Sequence, residues 1–592
     1  MSPRSVIADF VLASGLGASA WLSSLPDLKL QETGNGPWQL ATRGEPYLFL
    51  RPDGGGCVAL ADLAGGDVAQ LQRASSQPET GWRGRFACAD WHKDGRTVEI
   101  VSDHFGSIPL YWIRLEELTA VATDLRLLLD APGLPRAPDP TAIYHYLNFG
   151  CIPAPLTICT GIRRLEPGTR LALGPDASHA RRYYLPEYPA DLGGPDAVLA
   201  AELRGRIVRS VEDFRPGSED DWACFLSGGT DSSSIVSILA SGKGSVHSCS
   251  IGFAEAGYDE LDFARLAGEA CGATTHTLEV DRDSSLALLD TVVEAYDQPF
   301  GNASAVPTLA CAELGRGEGF GIMLGGDGGD EIFGGNQRYA KDKVMEAFYR
   351  LPAPIKRSAR AIGRAIGGGN NHLLNRIENF TERASLPNPE RFYTDDSFAS
   401  DYYGNLLTDD FRAHVGKDAS LDFMRAVYEQ GGEVDPLHAI MRLDLMMAIA
   451  QNDLVKVHRA CKQHGVVARF PYLDPRLVEY CGRLPAGCKV RGLDKRYLFK
   501  RAMADILPRA ILRKRKQGFG LPIAVWMKDD PAFRERVRAV LLDDTTRQRG
   551  WVNPDFIARL VEEHMAGGWD HAAALWQLLV LELWMRRYLD AA

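Results

Sequence analysis

Trp222-Ala223-Cys224-Phe225-Leu226 is a short, uninterrupted apolar run that stops at Ser227-Gly228-Gly229. A run of that length without alternation suits a parallel strand covered on both faces. The glycines permit tight curvature and the close approach of a ligand to the backbone. Beyond Thr230-Asp231-Ser232, residues Ile235, Val236, Ile238 and Leu239 recur at helical spacing, so the turn opens a helix. A helix start offers unpaired N–H groups and the positive end of a dipole, a setting made for phosphate. Asp231 puts a negative charge in that setting, which fits if a metal ion accompanies the phosphates.

A second stretch answers the first. Gly321-Ile322-Met323-Leu324 is another candidate buried strand, and Gly325-Gly326-Asp327-Gly328-Gly329-Asp330-Glu331 follows it directly. Three carboxylates within five residues repel one another, and a bound cation is the usual remedy. Each turn stands at the C-terminal end of a presumed parallel strand, where ligands bind in open α/β sheets. Strand and helix patterns alternate from about 200 to 340, as in a mostly parallel, doubly wound sheet. Further strands are expected at Val246 to Phe253 and Thr275 to Val280, and a helix from Leu261 that ends on Gly272.

The rest of the chain sets bounds. At 592 residues it needs two or more domains. Residues 1 to about 190 hold short alternating or apolar runs, such as Tyr47-Leu48-Phe49-Leu50 and Val98-Glu99-Ile100-Val101, and read as β-rich. Tyr188 to Pro195 is a plausible linker, and residues 340 to 592 read as mainly helical. A net charge of -11 argues against general nucleic-acid binding. The basic cluster Lys356, Arg357, Arg360 and Arg364 reads as a solvated helix face. The 11 cysteines show no CxxC pairing, which fits reduced thiols and a cytoplasmic setting rather than zinc or disulfides. Val11 to Trp21 follows Asp9 and is rich in Gly and Ser, so it reads as a strand and turn, not a signal peptide. The apolar run Ala572 to Leu581 is cut by Glu582, so no membrane span is expected.

Ser227-Gly228-Gly229-Thr230-Asp231-Ser232 resembles the pyrophosphate-binding SGGxDS loop of ATP pyrophosphatases. The wider resemblance is to the asparagine synthetase B superfamily, which includes β-lactam synthetases and lasso peptide cyclases. It is carried also by Ser250-Ile251-Gly252-Phe253 with Tyr258-Asp259-Glu260, by Asp297-Gln298-Pro299-Phe300, and by Gly334-Gly335 with Arg338-Tyr339. Arg469-Phe470-Pro471-Tyr472-Leu473-Asp474 and Lys516-Gln517-Gly518-Phe519-Gly520 complete it, and the match spans nearly the whole chain. The resemblance implies a degenerate Ntn-glutaminase-like, β-rich αββα domain over residues 1–190. It implies an ATP-pyrophosphatase-type, doubly wound parallel-sheet synthetase domain over 191–592, helical towards its C-terminus.

The resemblance further implies attack of a carboxylate on the α-phosphorus of ATP, releasing pyrophosphate and leaving an acyl-adenylate. Ser227, Gly228, Gly229, Thr230, Asp231, Ser232 and Lys516 would then steady the pyrophosphate. Leu226, Ile251, Gly252, Gly325 and Gly326 would line the adenosine site, and Asp231 and Asp330 would hold Mg2+. Asp327 stands where asparagine synthetases carry Glu and β-lactam synthetases a catalytic Tyr, and is the candidate base for the attacking amine, with Glu331 in support. The cation over the tetrahedral intermediate falls to Arg496 or its neighbour Lys495, two side chains of different geometry.

Two departures bear on substrate. Glutamine-using members expose an N-terminal cysteine, whereas position 2 here is Ser2, followed by Pro3. The other glutamine-binding segments are missing, Arg51-Pro52-Asp53-Gly54 being a faint and displaced echo of one, so no glutamine hydrolysis is expected. Val467 replaces the Glu that asparagine synthetases carry two residues ahead of the Arg at 469, which suggests an acid other than free aspartate. A lasso peptide cyclase is the first expectation. It would adenylate an Asp or Glu side chain of a leader-trimmed peptide precursor and join it to the peptide's own N-terminal amine, with a leader protease or leader-recognition protein as partner. An ammonia-dependent asparagine synthetase or a small-molecule amide or β-lactam synthetase is the alternative. A nucleotide-binding pseudoenzyme would not need Asp231, Asp327, Asp330 and Lys516 together.

Overall fold

Five strands build the sheet that carries both glycine turns: β1 (Trp222–Phe225), β2 (His247–Phe253), β3 (Thr274–Val280), β4 (Ile322–Leu324) and β5 (Val467–Arg469). The computed structural model describes residues 6–590 except 34–36, 53, 65–80, 93–96, 175–176, 218–220, 243–244, 256–260, 283, 367–371 and 514–521. All four pairings are parallel and the order is β3-β2-β1-β4-β5. The chain therefore winds one way from β1 to β3 and the other way from β4 to β5. The direction reverses between β1 and β4, and a crevice opens there at the strands' carboxyl ends. Helix α1 (Thr230–Ala240) packs with the helix Leu261–Cys271 on one face. The helix Ala305–Gly317 packs with α3 (Leu454–Gln463) on the other, while α2 (Gly329–Phe333) follows β4 at the crevice itself. Covered on both sides, Ala223, Cys224, Ile322, Met323 and Leu324 are buried, as their unbroken apolar runs require.

The N-terminal region is two six-stranded antiparallel sheets. One runs from Asp9–Gly15 outward and the other is centred on Gly56–Leu63, Gly84–Trp91 and Val98–Ser102. Alternation sorts their side chains: Val58, Leu60, Ala87, Ala89 and Ile100 join the main core, while Cys57, Ala59, Phe86 and Cys88 form a smaller cluster on the opposite face. The stretch read as strand and turn at Val11 to Trp21 is a strand, Asp9–Gly15, running into a short helix, Ala18–Ser24. The last strand of this region ends at Arg182 and the next helix begins at Asp196. Among the described residues no helix is long and apolar enough to cross a membrane.

Buried charge joins the two regions. Arg469, at the end of β5, donates twice to Asp62 at 2.8 Å, and Arg83 donates to Asp474 at 3.0 and 2.8 Å. Arg459 on α3 bonds Asp124 at 3.0 Å and also Asp297, all three almost wholly buried. Lys462 on the same helix pairs with Asp9 of the first strand. Gln298 accepts from the Ile158 amide at 2.9 Å. Asp297 and Gln298, quoted above as part of the family resemblance, thus serve this seam, and so does Arg469.

Candidate active site

The turn after β1 is shaped by its own side chains. Gly228 has φ 66°, and a β-carbon there would sit 2.6 Å from the backbone of Phe263, so only glycine fits. The Ser227 hydroxyl accepts from the Gly229 amide at 3.3 Å and lies 3.2 Å from the Ser232 hydroxyl, which itself accepts from the Ser227 amide. Leu226 is held from behind, its amide donating to Cys249 at 3.0 Å and its carbonyl accepting from Ser250 at 2.6 Å. Tyr472 braces the start of α1, donating to the Asp231 carbonyl at 3.2 Å and bonding the Ser234 hydroxyl.

The second turn meets the first. A β-carbon on Gly326 would stand 3.0 Å from the Ser232 amide, and one on Gly329 would stand 2.6 Å from the Asp231 carboxyl. Both glycines are therefore needed for the turns to approach so closely. A single cleft of about 1140 Å³ is lined by Ser227, Gly229, Thr230, Asp231 and Ser232 from one turn and by Gly326, Asp327, Gly328, Asp330 and Glu331 from the other. Gly335, Lys495, Arg496 and Lys500 line it too. Leu226, Gly228, Ile251, Gly252 and Gly325 lie behind this lining; Ile251 and Leu226 are buried, and the Gly325 amide donates to Arg469 at 2.8 Å. Lys516, with Tyr258, Asp259 and Glu260, lies outside the described residues. Val467 is buried within the sheet opposite Ile322 and is not part of the cleft wall.

Arg496 is the side chain that joins the turns. It caps the short hairpin made by Val490–Arg491 and Asp494–Lys495, with a left-handed backbone at φ 54°. Its guanidinium bonds both carboxylate oxygens of Asp231, one of them at 2.6 Å, and also Asp330 and the Thr230 hydroxyl. Burial alone would pull its pKa down, but Asp231 and Asp330 outweigh it and the net shift is upward. Gly335 makes the room: a β-carbon there would collide with the Asp330 carboxylate at 2.0 Å and the Arg496 Nε at 2.1 Å. Lys495 turns aside to donate to the Gly335 carbonyl at 3.0 Å.

Asp327 lies half-buried in the wall, and its carboxyl is pushed up to about 6. Burial is the main cause; Lys456 opposes it, and Asp453 and Asp231 add to it. Lys456 donates to Asp453 at 2.6 Å, so a partly exposed ion pair borders the candidate base. These two residues were not singled out from sequence. Asp453 ends a π-helical stretch, Leu445–Asp453, a distortion that often marks a working site, and Lys456 lies in the first turn of α3. The signal in the chain was Asn452-Asp453 breaking an otherwise apolar helix.

The donor set suits a magnesium ion. Asp231 and Asp330 present hard oxygens, and the Arg496 guanidinium already sits between them as a stand-in cation. Among the described residues no group of three or more His, Cys, Asp or Glu side chains is placed to hold a metal ion.

A family model described as asparagine synthase matches residues 202–586, and one described as a glutamine amidotransferase domain matches residues 71–184. The chain is 28% identical over 539 residues to a putative glutamine-hydrolysing asparagine synthetase of Mycobacterium tuberculosis, covering 90% of this chain and 79% of that one. It is 24% identical over 502 residues to glutamine-hydrolysing asparagine synthetase 1 of Bacillus subtilis, covering 85% and 77%. It is also 21% identical over 519 residues to amidase chyE of Penicillium rubens, covering 81% and 75%.

Proposed function

The chain belongs to the asparagine synthase family, and from that premise we propose that its cleft primes a carboxylic acid with ATP and passes it to an amine. The chain is an ATP-dependent carbon–nitrogen ligase of the asparagine synthetase kind, with an Ntn-glutamine-amidotransferase-like region ahead of the synthetase fold. The observation that carries the proposal is the meeting of two turns at the point where the sheet reverses, with Asp231, Asp327 and Asp330 in one cleft.

A carboxylate oxygen attacks the α-phosphorus, the bond to the bridging oxygen breaks, and pyrophosphate leaves. Backbone amides of the first turn and the start of α1 steady the charge that develops on it. Asp231 and Asp330 would hold a magnesium ion, which neutralises phosphate charge when bound. In the second step the amine attacks the acyl carbon, AMP departs, and Asp327 takes the amine's proton. A carboxyl titrating near 6 is ionised at neutral pH yet basic enough to share that proton in the transition state.

The acid we favour is the Asp or Glu side chain of a peptide whose own N-terminal amine closes a macrolactam, as in lasso peptides. Such a substrate brings its own amine with it and needs no ammonia. A leader protease and a leader-recognition protein would then be partners. Asparagine synthesis, here with ammonia as the amine, is the second reading; the names of the bacterial relatives favour the product but are those of glutamine-hydrolysing enzymes. Incubation with ATP and either aspartate plus ammonium or linear core peptides separates the two. Loss of one water from a peptide, seen by mass spectrometry, supports cyclisation; asparagine formation alone would overturn it.

A further inference from the structure

Arg496 holds an unusual position. It is buried, its backbone is in the left-handed region that residues other than glycine seldom occupy, and its amide is pinned to the Gly334 carbonyl at 3.1 Å. Its side chain ties up three groups of the nucleotide cleft at once: the Thr230 hydroxyl, the Asp231 carboxylate and the Asp330 carboxylate. Two of these are the donors a metal would use, and two belong to the turn that faces phosphate. Two carboxylates and one guanidinium leave the spot with one net negative charge. A bare divalent ion would have to displace the guanidinium or sit against it, and like charges at such range repel by several kcal/mol at an effective dielectric of about 20. A triphosphate changes the balance, because its oxygens can take over the guanidinium as well as complete the metal's shell.

We propose that Arg496 is the resident counter-ion of the two acidic turns, keeping them together before nucleotide arrives and keeping bare metal out, so that metal enters only with ATP. The inference rests on the nucleotide reading of the cleft. It assigns the guanidinium two successive partners, Asp231 with Asp330 in the free enzyme and phosphate or acyl oxygen in the loaded one. A lysine at 496 is a poorer substitute, because a single ammonium cannot bridge both carboxylates with paired N–H groups.

The test uses the full chain and Mn2+ as the probe, free Mn2+ being read by electron paramagnetic resonance, first without nucleotide and then with ATP against a protein-free ATP control. Wild type is expected to bind Mn2+ weakly alone and tightly when ATP is added. Arg496→Gln should bind Mn2+ alone about tenfold or more tightly than wild type, and its melting temperature, lowered without metal, should recover on Mn2+ addition. Should Arg496→Gln fold only with metal, that too supports the role. Arg496→Lys keeps a charge and is expected to fold, with metal-alone affinity between the two. Equal Mn2+ affinity in wild type and Arg496→Lys, together with equal affinity in any folded Arg496→Gln, would overturn the inference. If wild type binds no Mn2+ even with ATP, the nucleotide reading itself fails; if it does and the variants match it, only the role of Arg496 falls.

Discussion

Burial, opposed by Lys456 and reinforced by Asp453, holds the Asp327 carboxyl at about 6. Its folded value lies above that of an unfolded carboxylate, so the fold favours the neutral form. The stability this contributes is fully present below about pH 4 and is lost as pH rises through about 6. Asp327→Asn should therefore raise the melting temperature at pH 8 but not at pH 4, removing a penalty of up to about 3 kcal/mol, while amide formation collapses. In wild type the amide-forming rate should climb through about pH 6, and Asp453→Asn should shift that rise to lower pH. Gly335 offers a second residue-scale prediction. Gly335→Ala forces a methyl group against Asp330 and Arg496, so ATP binding followed by calorimetry should weaken by at least about tenfold. Asp231, Asp327 and Asp330 were legible in the chain because carboxylates crowded among glycines have little use in packing. The different placements of Lys495 and Arg496 were not legible, since they depend on the left-handed backbone at 496, which sets Arg496 against both acidic turns while Lys495 reaches the Gly335 carbonyl.

At the scale of elements, β5 and the segment after it link the N-terminal region to the chemistry. Asp62 grips Arg469, the Arg469 carbonyl receives the Gly325 amide, and Tyr472 braces the turn bearing Asp231. Asp62→Asn leaves the Arg469 guanidinium buried with a poorer partner, which costs about 2–4 kcal/mol by analogy with broken buried pairs. Its expected signature is a raised KM for ATP and a lower melting temperature with little change at the acid site; an unchanged KM would detach the N-terminal region from the cleft. Four of the five parallel strands, β1 to β4, were readable to within a residue or two at their ends, β1 and β4 because unbroken apolar runs suit strands covered on both faces; β5 lies in the stretch read as mainly helical. The work done by Asp297, Gln298 and Arg469 was not readable, because their partners Leu125, Ile158 and Asp62 lie far away along the chain. Val467 shows the same gap: the resemblance set it where asparagine synthetases carry a Glu that bears on the acid, whereas strand pairing buries it opposite Ile322.

Across the whole molecule, the carboxylates paired with Arg459, Lys462, Arg469 and Arg83 at the seam are buried, and Arg459 is buried with its partner. Separating the regions would strand these charges away from their partners, a cost far above that of parting two surface pairs. Calorimetry of the full chain should accordingly show one cooperative transition, and residues 191–592 alone should fail to yield a soluble folded protein. Two well-separated transitions would show instead that the regions fold independently. The most direct measurement is pyrophosphate exchange into ATP by the full chain with an accepted acid, comparing wild type with Asp231→Ala and Asp330→Ala, one from each turn. If both turns serve one nucleotide, each variant loses at least about a hundredfold of the exchange rate while remaining folded. Wild-type exchange in either variant would contradict the shared site.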